Sequence, residues 1–257
     1  MNKSVNAVAF RSIYSKECTR FLRIWIQTLL PPAITMTLYF VIFGNLIGSR
    51  IGTMEGFSYM EFIVPGLIMM SVITNSYANV ASSFFSAKFQ RNVEELLVAP
   101  VSNYIIILGF VAGGMTRGIM VGIIVSVVSL FFTDMQINNL LVIASIVVMT
   151  SLVFSLGGLI NAVYARSFDE ISIIPTFVLT PLTYLGGVFY SISLLPEFWQ
   201  DVSRANPIIY MVNAFRYGFL GISDINITTA FMVLGGFAVI LFAYALYLFN
   251  RGIGLRS

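Results

Sequence analysis

Six long apolar stretches, separated by short polar segments, dominate the chain. They lie near residues 29–48, 60–83, 104–132, 138–163, 171–192 and 229–250. A helix of around 20 apolar residues crosses the hydrocarbon core of a bilayer, which is about 30 Å thick. The pattern therefore predicts an all-α, polytopic membrane protein with six transmembrane helices, arranged as a single domain over residues 1–257.

The segment before the first stretch, residues 4–26, is amphipathic when it is wound as a helix. Its apolar face carries Phe10, Tyr14, Cys18, Phe21 and Trp25. Its polar face carries Lys16, Arg20, Arg23 and Gln27. We expect an N-terminal interfacial helix that lies in the membrane surface, with its basic face toward anionic cytoplasmic headgroups. The alternative is an ordinary soluble helix that packs on a partner.

A short charged segment, residues 84–99, interrupts the apolar pattern after the second stretch. On a helix, one face carries Phe85, Phe89, Val93, Leu96 and Leu97. The other face carries Lys88, Arg91, Asn92 and Glu95, and Pro100 ends the run. We expect a cytoplasmic helix across the membrane surface, tied at both ends to spanning helices, that transmits movement from a soluble partner. A simple connector at the headgroups fits the pattern equally well.

The tract between the fifth and sixth stretches, residues 193–228, is long and rich in aromatic and aliphatic residues. Its apolar part, 208–220, is too short to cross a bilayer, and Pro196, Pro207 and Arg216 oppose a continuous span. The tract predicts external re-entrant helices that dip into the outer leaflet. An external loop folded on top of the bundle is the alternative.

The basic residues indicate the orientation. With six spans both termini share one side, and that side holds Lys3, Arg11, Lys16, Arg20, Arg23, Lys88, Arg91, Arg166, Arg251 and Arg256. The other side holds only Arg50, Arg204 and Arg216. By the positive-inside rule, both termini are expected in the cytoplasm.

Two stretches carry polar residues at helical spacing. Asn75 and Asn79 lie in the second, and Thr176, Thr180 and Thr183 lie in the fifth. Such faces avoid lipid, and they either hold helices together or line a wet path. The residues alone leave both uses open.

Arg117 is the one basic residue well inside an apolar stretch. An intramembrane cation is a functional candidate by default. We expect the crossing to begin near the Gly113–Gly114 pair, however, which would let Arg117 reach the cytoplasmic headgroups.

Composition supports a membrane protein and excludes several kinds of chemistry. Hydrophobic residues make up 58% and charged residues 10%, whereas soluble domains carry about 25% charged residues. Basic residues are scattered, which argues against nucleic acid. The chain has no histidine, one cysteine, and no G-x-x-x-x-G-K-[ST] loop for nucleotide phosphates. We therefore expect no catalytic residues, no metal site and no bound cofactor, and ATP must be hydrolysed by another chain.

The order of an amphipathic N-terminal helix, six spans and a cytoplasmic helix after the second resembles the permease subunits of ABC-2 type transporters over essentially the whole chain. Local stretches are similar as well: Val64-Pro65-Gly66-Leu67, the run RNVEELLVAPVS at 91–102, Asn206-Pro207-Ile208-Ile209-Tyr210, and Phe215-Arg216-Tyr217-Gly218. The family often has an acid where this chain has Asn213, so no salt bridge to Arg216 is carried over.

The resemblance implies a homodimer of this chain above two copies of a separate ATP-binding subunit, which carries ATP and Mg. The ATPase-docking coupling helix would use Lys88, Arg91, Asn92, Glu94, Glu95 and Leu96. The pathway would be lined by Asn75, Asn79, Thr176, Thr180 and Thr183. The outer gate would be formed by Asn206, Pro207, Tyr210 and Arg216.

The expected function is thus the permease subunit of an ATP-binding-cassette exporter in a bacterial inner membrane, surrounded by membrane lipid and carrying a lipid-like, glycan or hydrophobic solute. A passive channel or secondary carrier would show solute flux with this chain alone. A membrane scaffold would bind an ATPase but show no ligand-stimulated hydrolysis.

Overall fold

The computed structural model describes residues 3–255, so Arg256 of the cytoplasmic basic set lies outside the described residues. The chain begins with α1 (Lys3–Arg23) and turns into α2 (Trp25–Ile51), which includes a π-helical part at Phe40–Ile47. The hydroxyl of Thr28 donates to the carbonyl of Phe21 at 2.7 Å and closes the corner. A two-residue hairpin, β1 (Thr53–Met54) and β2 (Phe57–Ser58), follows α2.

The middle of the chain is made of long helices. They are α3 (Tyr59–Phe89), the short α4 (Asn92–Val98), α5 (Asn103–Ser129) and α6 (Leu140–Tyr164). Ser58 and Glu61 form a capping box that starts α3, and Asn139 caps α6 by accepting from Leu141 and Val142. These side chains satisfy backbone N–H groups that a helix start leaves open.

The last third contains shorter helices and one long one. They are α7 (Phe168–Ile174), a π-helical turn (Pro175–Leu179), α8 (Thr180–Tyr184), a 3₁₀ turn (Ile192–Leu194), α9 (Glu197–Arg204), α10 (Pro207–Leu220) and α11 (Ile227–Arg251). The two helices α9 and α10 occupy the tract predicted to contain short external helices.

Five helices within residues 3–255 are long and apolar enough to cross a membrane: α2, α3, α5, α6 and α11. The predicted stretch 171–192 is not one of these five helices, because the helical path there, Phe168–Tyr184, is shorter than the predicted stretch and changes type at Pro175. Proline lacks the N–H that continues a helix, and both Pro175 and Pro181 lie in this path. The path therefore contains a π-helical turn, Pro175–Leu179, between two α-helical parts.

α3 is the central helix of the bundle. About 83% of the most apolar 18-residue stretch of α3 is buried, whereas the corresponding values are 12% for α2 and 17% for α11. α5 and α6 pack closely on α3 because they carry glycine at the contacts: a Cβ on Gly158 would lie 2.4 Å from the Tyr77 carbonyl oxygen. Small residues at such crossings let the backbones approach.

α1 packs along α5, and its buried side differs from the predicted apolar face. Phe21 and Glu17 are fully buried, and Ile13 packs against Gly109, while Trp25 is 53% exposed. Arg20, predicted on the basic face toward the headgroups, bonds to Asn79 of α3 instead. The rotation follows from Gly109 and Gly113 of α5, which leave room for α1 to approach closely.

Candidate functional site

The segment predicted as one helix over 84–99 is two helices with a sharp break. Residues 84–89 continue α3, and Arg91 adopts a left-handed backbone conformation (φ 61°) before α4 begins at Asn92. A non-glycine residue in this conformation is uncommon and marks an abrupt change of chain direction. α4 is therefore a separate helix, tied by short links to α3 and α5.

α4 has one fully buried residue, and its other residues are half-buried or exposed. Val93 is fully buried, whereas Val98 is 88% exposed and Arg91 and Glu95 also lie on the surface. Three other predicted docking residues are half-buried: Asn92, Glu94 and Leu96. The exposed side thus combines charges of both signs with an uncovered aliphatic residue, a composition suited to binding a protein.

Lys88 is not part of this surface. The sequence pattern placed it on the outward charged face, but it is only 9% exposed. Its ammonium donates to the carbonyls of Val163 at 2.6 Å and Ala165 at 2.8 Å, and more weakly to Ala162. These carbonyls lie at the end of α6, where the helix leaves them without backbone partners. Lys88 therefore caps a helix and joins α3 to α6.

The asparagines of the polar stripe lie inside the protomer. Asn79 is fully buried, and its main-chain and side-chain oxygens both accept from Arg20 of α1, at 3.1 and 2.8 Å. Glu17, 3.4 Å from the same guanidinium, is buried beside it. Asn75 is 7% exposed, and its side-chain oxygen accepts from Arg117 at 3.1 Å. Both asparagines thus bind arginines from α1 and α5.

The expectation that Arg117 reaches the cytoplasmic headgroups stays a prediction. Arg117 lies fourteen residues after α5 begins at Asn103, and it bonds to neighbouring helices. Its guanidinium donates to Asn75 and to the carbonyl of Thr28 at 3.2 Å. Arg117 therefore links α5 to α2 and α3 within the bundle.

The predicted threonines divide between surface and interior. Thr176 and Thr180 are exposed, and the hydroxyl of Thr180 donates to the carbonyl of Pro175 at 2.9 Å. Thr183 is 2% exposed and donates to the Leu179 carbonyl. Two of the five predicted path residues, Thr176 and Thr180, therefore lie on the protomer surface.

Three of the four predicted gate residues lie at the start of α10. Asn206 caps this helix by accepting from Ile208, and it donates to the carbonyl of Leu182 at 2.6 Å. Pro207 follows at the first helical position, where its missing N–H is harmless. The Tyr210 hydroxyl donates to the Arg204 carbonyl at 2.9 Å. These bonds join α9, α10 and the end of α8.

Arg216 is almost fully buried and holds three parts of the chain together. It donates to the carbonyls of Phe62 at 3.2 Å and Gly187 at 2.7 Å, and its guanidinium lies 3.8 Å from the Phe62 ring centroid. Gly66 lets α3 approach the same turn, since a Cβ there would lie 2.7 Å from the Val188 carbonyl oxygen. Asn213 accepts from the N–H of Asp224 at 3.1 Å.

An aromatic cluster beside Thr180 was missed by the sequence reasoning. Phe43 and Phe189 lie 4.8 Å apart, Tyr184 stacks on Phe189, and the hydroxyls of Tyr39 and Tyr184 are 3.5 Å apart. The cluster joins α2 to the region after α8. The spacing of Tyr39 and Phe43, one helical turn apart, was the available signal.

These features define a multi-pass helical membrane protein with a short surface helix after its second span and a bonded layer of short helices before its last span, α11. The chain belongs to the ABC-2 type transporter family, whose model matches residues 8–220. It is the membrane subunit of such a transporter, a class that lacks its own nucleotide-binding domain and implies a partner ATP-binding subunit.

Individual relatives support the same assignment. The chain is 64% identical over 250 residues to the inner membrane transport permease YadH of Escherichia coli K12, covering 97% of this chain and 98% of that protein. It is 26% identical over 209 residues to nodulation protein J of Rhizobium meliloti, covering 81% and 80% respectively. The protein is accordingly an inner-membrane, multi-pass permease.

Proposed function

We propose that two copies of this chain form the transmembrane path of an exporter, with six crossings each and both termini in the cytoplasm. Two separate ATP-binding subunits, which hold ATP and Mg, would dock at α4 of each copy. A lipid-like, glycan or hydrophobic solute is the expected substrate class. The export direction and the stoichiometry rest on the resemblance to the family.

The observation that carries the docking proposal is the shape and exposure of α4. It is a separate helix with Val93 as its buried residue, and it is connected by two residues to α3 and by four residues to α5. A push on its exposed side would therefore act on two spanning helices together. ATP-driven closure of the partner subunits would supply that push and shift the bundle between two arrangements.

Reversing the charges of Arg91 and Glu94 tests the docking surface. The double substitution Arg91→Glu and Glu94→Lys leaves the net charge unchanged but inverts the charge pattern. We expect association with the ATP-binding subunit to weaken by about tenfold or more, because charge complementarity at an interface is lost. Co-purification of the two subunits from membranes measures the change.

A matched control inverts a different oppositely charged pair with the same spacing, which lies on the surface. Asp201 and Arg204 of α9 lie three residues apart and 3.1 Å from each other. Asp201→Lys with Arg204→Glu should leave co-purification unchanged. Equal co-purification of the α4 variant and the wild type would contradict docking at α4, and solute flux in liposomes with this chain alone would favour a passive channel.

A further inference from the structure

A groove of about 440 Å³ lies between α5 and α6 on a face that the protomer leaves uncovered. Its floor is formed by Ile68 of α3 and Phe215 of α10, each 1% exposed. Its rims carry Ile123 of α5, 59% exposed, and Val148 of α6, 44% exposed. The groove is thus built on the buried core and opens outward between two spanning helices.

The lining of the groove is apolar. Ser126 supplies the one polar side chain among the described residues that line it, and its hydroxyl donates to the Gly122 carbonyl at 2.8 Å. This bond satisfies the hydroxyl within its own helix. The groove therefore presents hydrocarbon to whatever fills it.

The location and the volume of the groove indicate what kind of molecule fills it. In a bilayer, hydrocarbon chains are what touch the outward faces of membrane-spanning helices, and an unfilled groove would lose dispersion contacts along its wall. A groove of about 440 Å³ that runs between two spanning helices has room for a fatty-acyl chain.

One end of the groove has polar residues beside it, unlike the rest of the lining. Met135 and Phe219 line the groove and also a small depression with Glu61, Thr133 and Asp134. The carboxylate of Glu61 is occupied by the α3 capping box, at 2.7 and 2.8 Å from Ser58, whereas Asp134 is exposed. None of the described residues lining this depression is basic. The mouth therefore favours a positively charged group over an anion.

We propose that this groove binds a phospholipid with an amine headgroup, placing one acyl chain between α5 and α6 and the ammonium group beside Asp134. With both termini in the cytoplasm, the α5–α6 loop is external, so the lipid belongs to the outer leaflet. Only this leaflet assignment rests on the topology proposed above. The contacts between the lipid and the protein involve residues of a single protomer, and they do not require the proposed topology.

Native mass spectrometry of the full chain in detergent tests the headgroup. The probes are phosphatidylethanolamine and phosphatidylglycerol with identical acyl chains. We expect the first to be retained roughly 1.5- to 5-fold more than the second, the range that an exposed ion pair provides. Asp134→Asn should abolish this preference, whereas Glu197→Gln, an exposed external carboxylate elsewhere, should keep it.

Filling the groove tests the acyl chain. Ala144→Phe, from a residue that lines the groove, should lower retention of both lipids by about tenfold or more, since each methylene removed from an apolar site weakens binding several-fold. Val148→Phe on the rim should act in the same direction. Val239→Phe on α11, 69% exposed and outside the groove, is the matched control and should change little.

Several outcomes would overturn the proposal. Retention by both groove variants equal to that of the Val239→Phe control would show that no lipid uses the groove. Equal retention of the two lipids by the wild type would refute the ammonium site. Loss of dimer in the groove variants with unchanged lipid retention would assign the groove to a second copy of the chain. Each result leaves the α4 docking test untouched.

Discussion

Single residues in this bundle show how buried cations are accommodated. Lys88 donates to three carbonyls at the end of α6, and Arg216 donates to the carbonyls of Phe62 and Gly187. A buried charge is strongly unfavourable unless polar groups surround it. The carbonyl oxygens come from helix ends and turns distant in sequence, so the sequence pattern alone placed Lys88 outside and left Arg216 without a partner.

Arg117 provides a prediction at the same scale. Arg117→Met should lower the free energy of unfolding by about 1–3 kcal/mol, because the Asn75 side chain and the Thr28 carbonyl lose their donor. Unfolding in a graded detergent mixture measures the change. Arg11→Met, at an exposed position of α1, is the control. Identical stabilities of the two variants would show that the guanidinium contacts contribute nothing.

Pairs of helices depend on glycine at their crossings. Gly158 of α6 faces the backbone of α3 at Tyr77, whereas Gly236 of α11 has no heavy atom within 4 Å of its would-be Cβ among the described residues. The approximate lengths of the spanning helices were readable from the sequence, as the predicted stretch 60–83 shows for α3. The sequence did not show which glycine lies at a helix crossing, because glycine occurs in exposed and in packed helices alike.

Replacing these two glycines tests the crossing. Gly158→Ala should destabilise the protein by about 1–3 kcal/mol, because the added methyl group meets main-chain atoms and the helices must separate. Gly236→Ala should be neutral or stabilise by up to about 1 kcal/mol through helix propensity. Thermal unfolding of both variants in one detergent gives the comparison. A Gly158→Ala variant as stable as Gly236→Ala would refute the close contact.

In the molecule as a whole, some spanning helices are largely exposed because little of the protomer packs against them. α2 and α11 are the least buried of the five spans, and the segment from α7 to α8 exposes Thr176 and Thr180. In the proposed homodimer the path would form between two copies, so a single protomer would contain only half of its wall. Asn75 and Asn79, bonded to arginines, contribute to packing within each copy.

Cysteine labelling of intact membranes tests whether Thr180 faces water. In a chain with Cys18→Ser, Thr180→Cys should react with a water-soluble maleimide roughly tenfold faster than Val239→Cys, because a thiol ionises and reacts only where water reaches it. Both positions are exposed in the protomer, which makes Val239→Cys a matched lipid-facing control. Equal rates would contradict a wet path at Thr180.

The amino-acid sequence by itself determined that this is an all-helical membrane protein, where five of its spans lie, and that a short helix follows the second. Apolar length, prolines and caps act locally, so they are visible along the chain. The sequence also indicated the family, through the stretches around Pro65, residues 91–102 and residues 206–218.

Only the tertiary structure decided which polar residues meet. It turned Arg20 and Arg117 toward the asparagines of α3, took Lys88 away from the docking side, and left Thr176 and Thr180 exposed. The physical reason is that a buried charge is placed by oxygen atoms from other helices. Many of those oxygens are main-chain carbonyls, which every residue carries, so a pattern of side chains does not show which of them a cation meets.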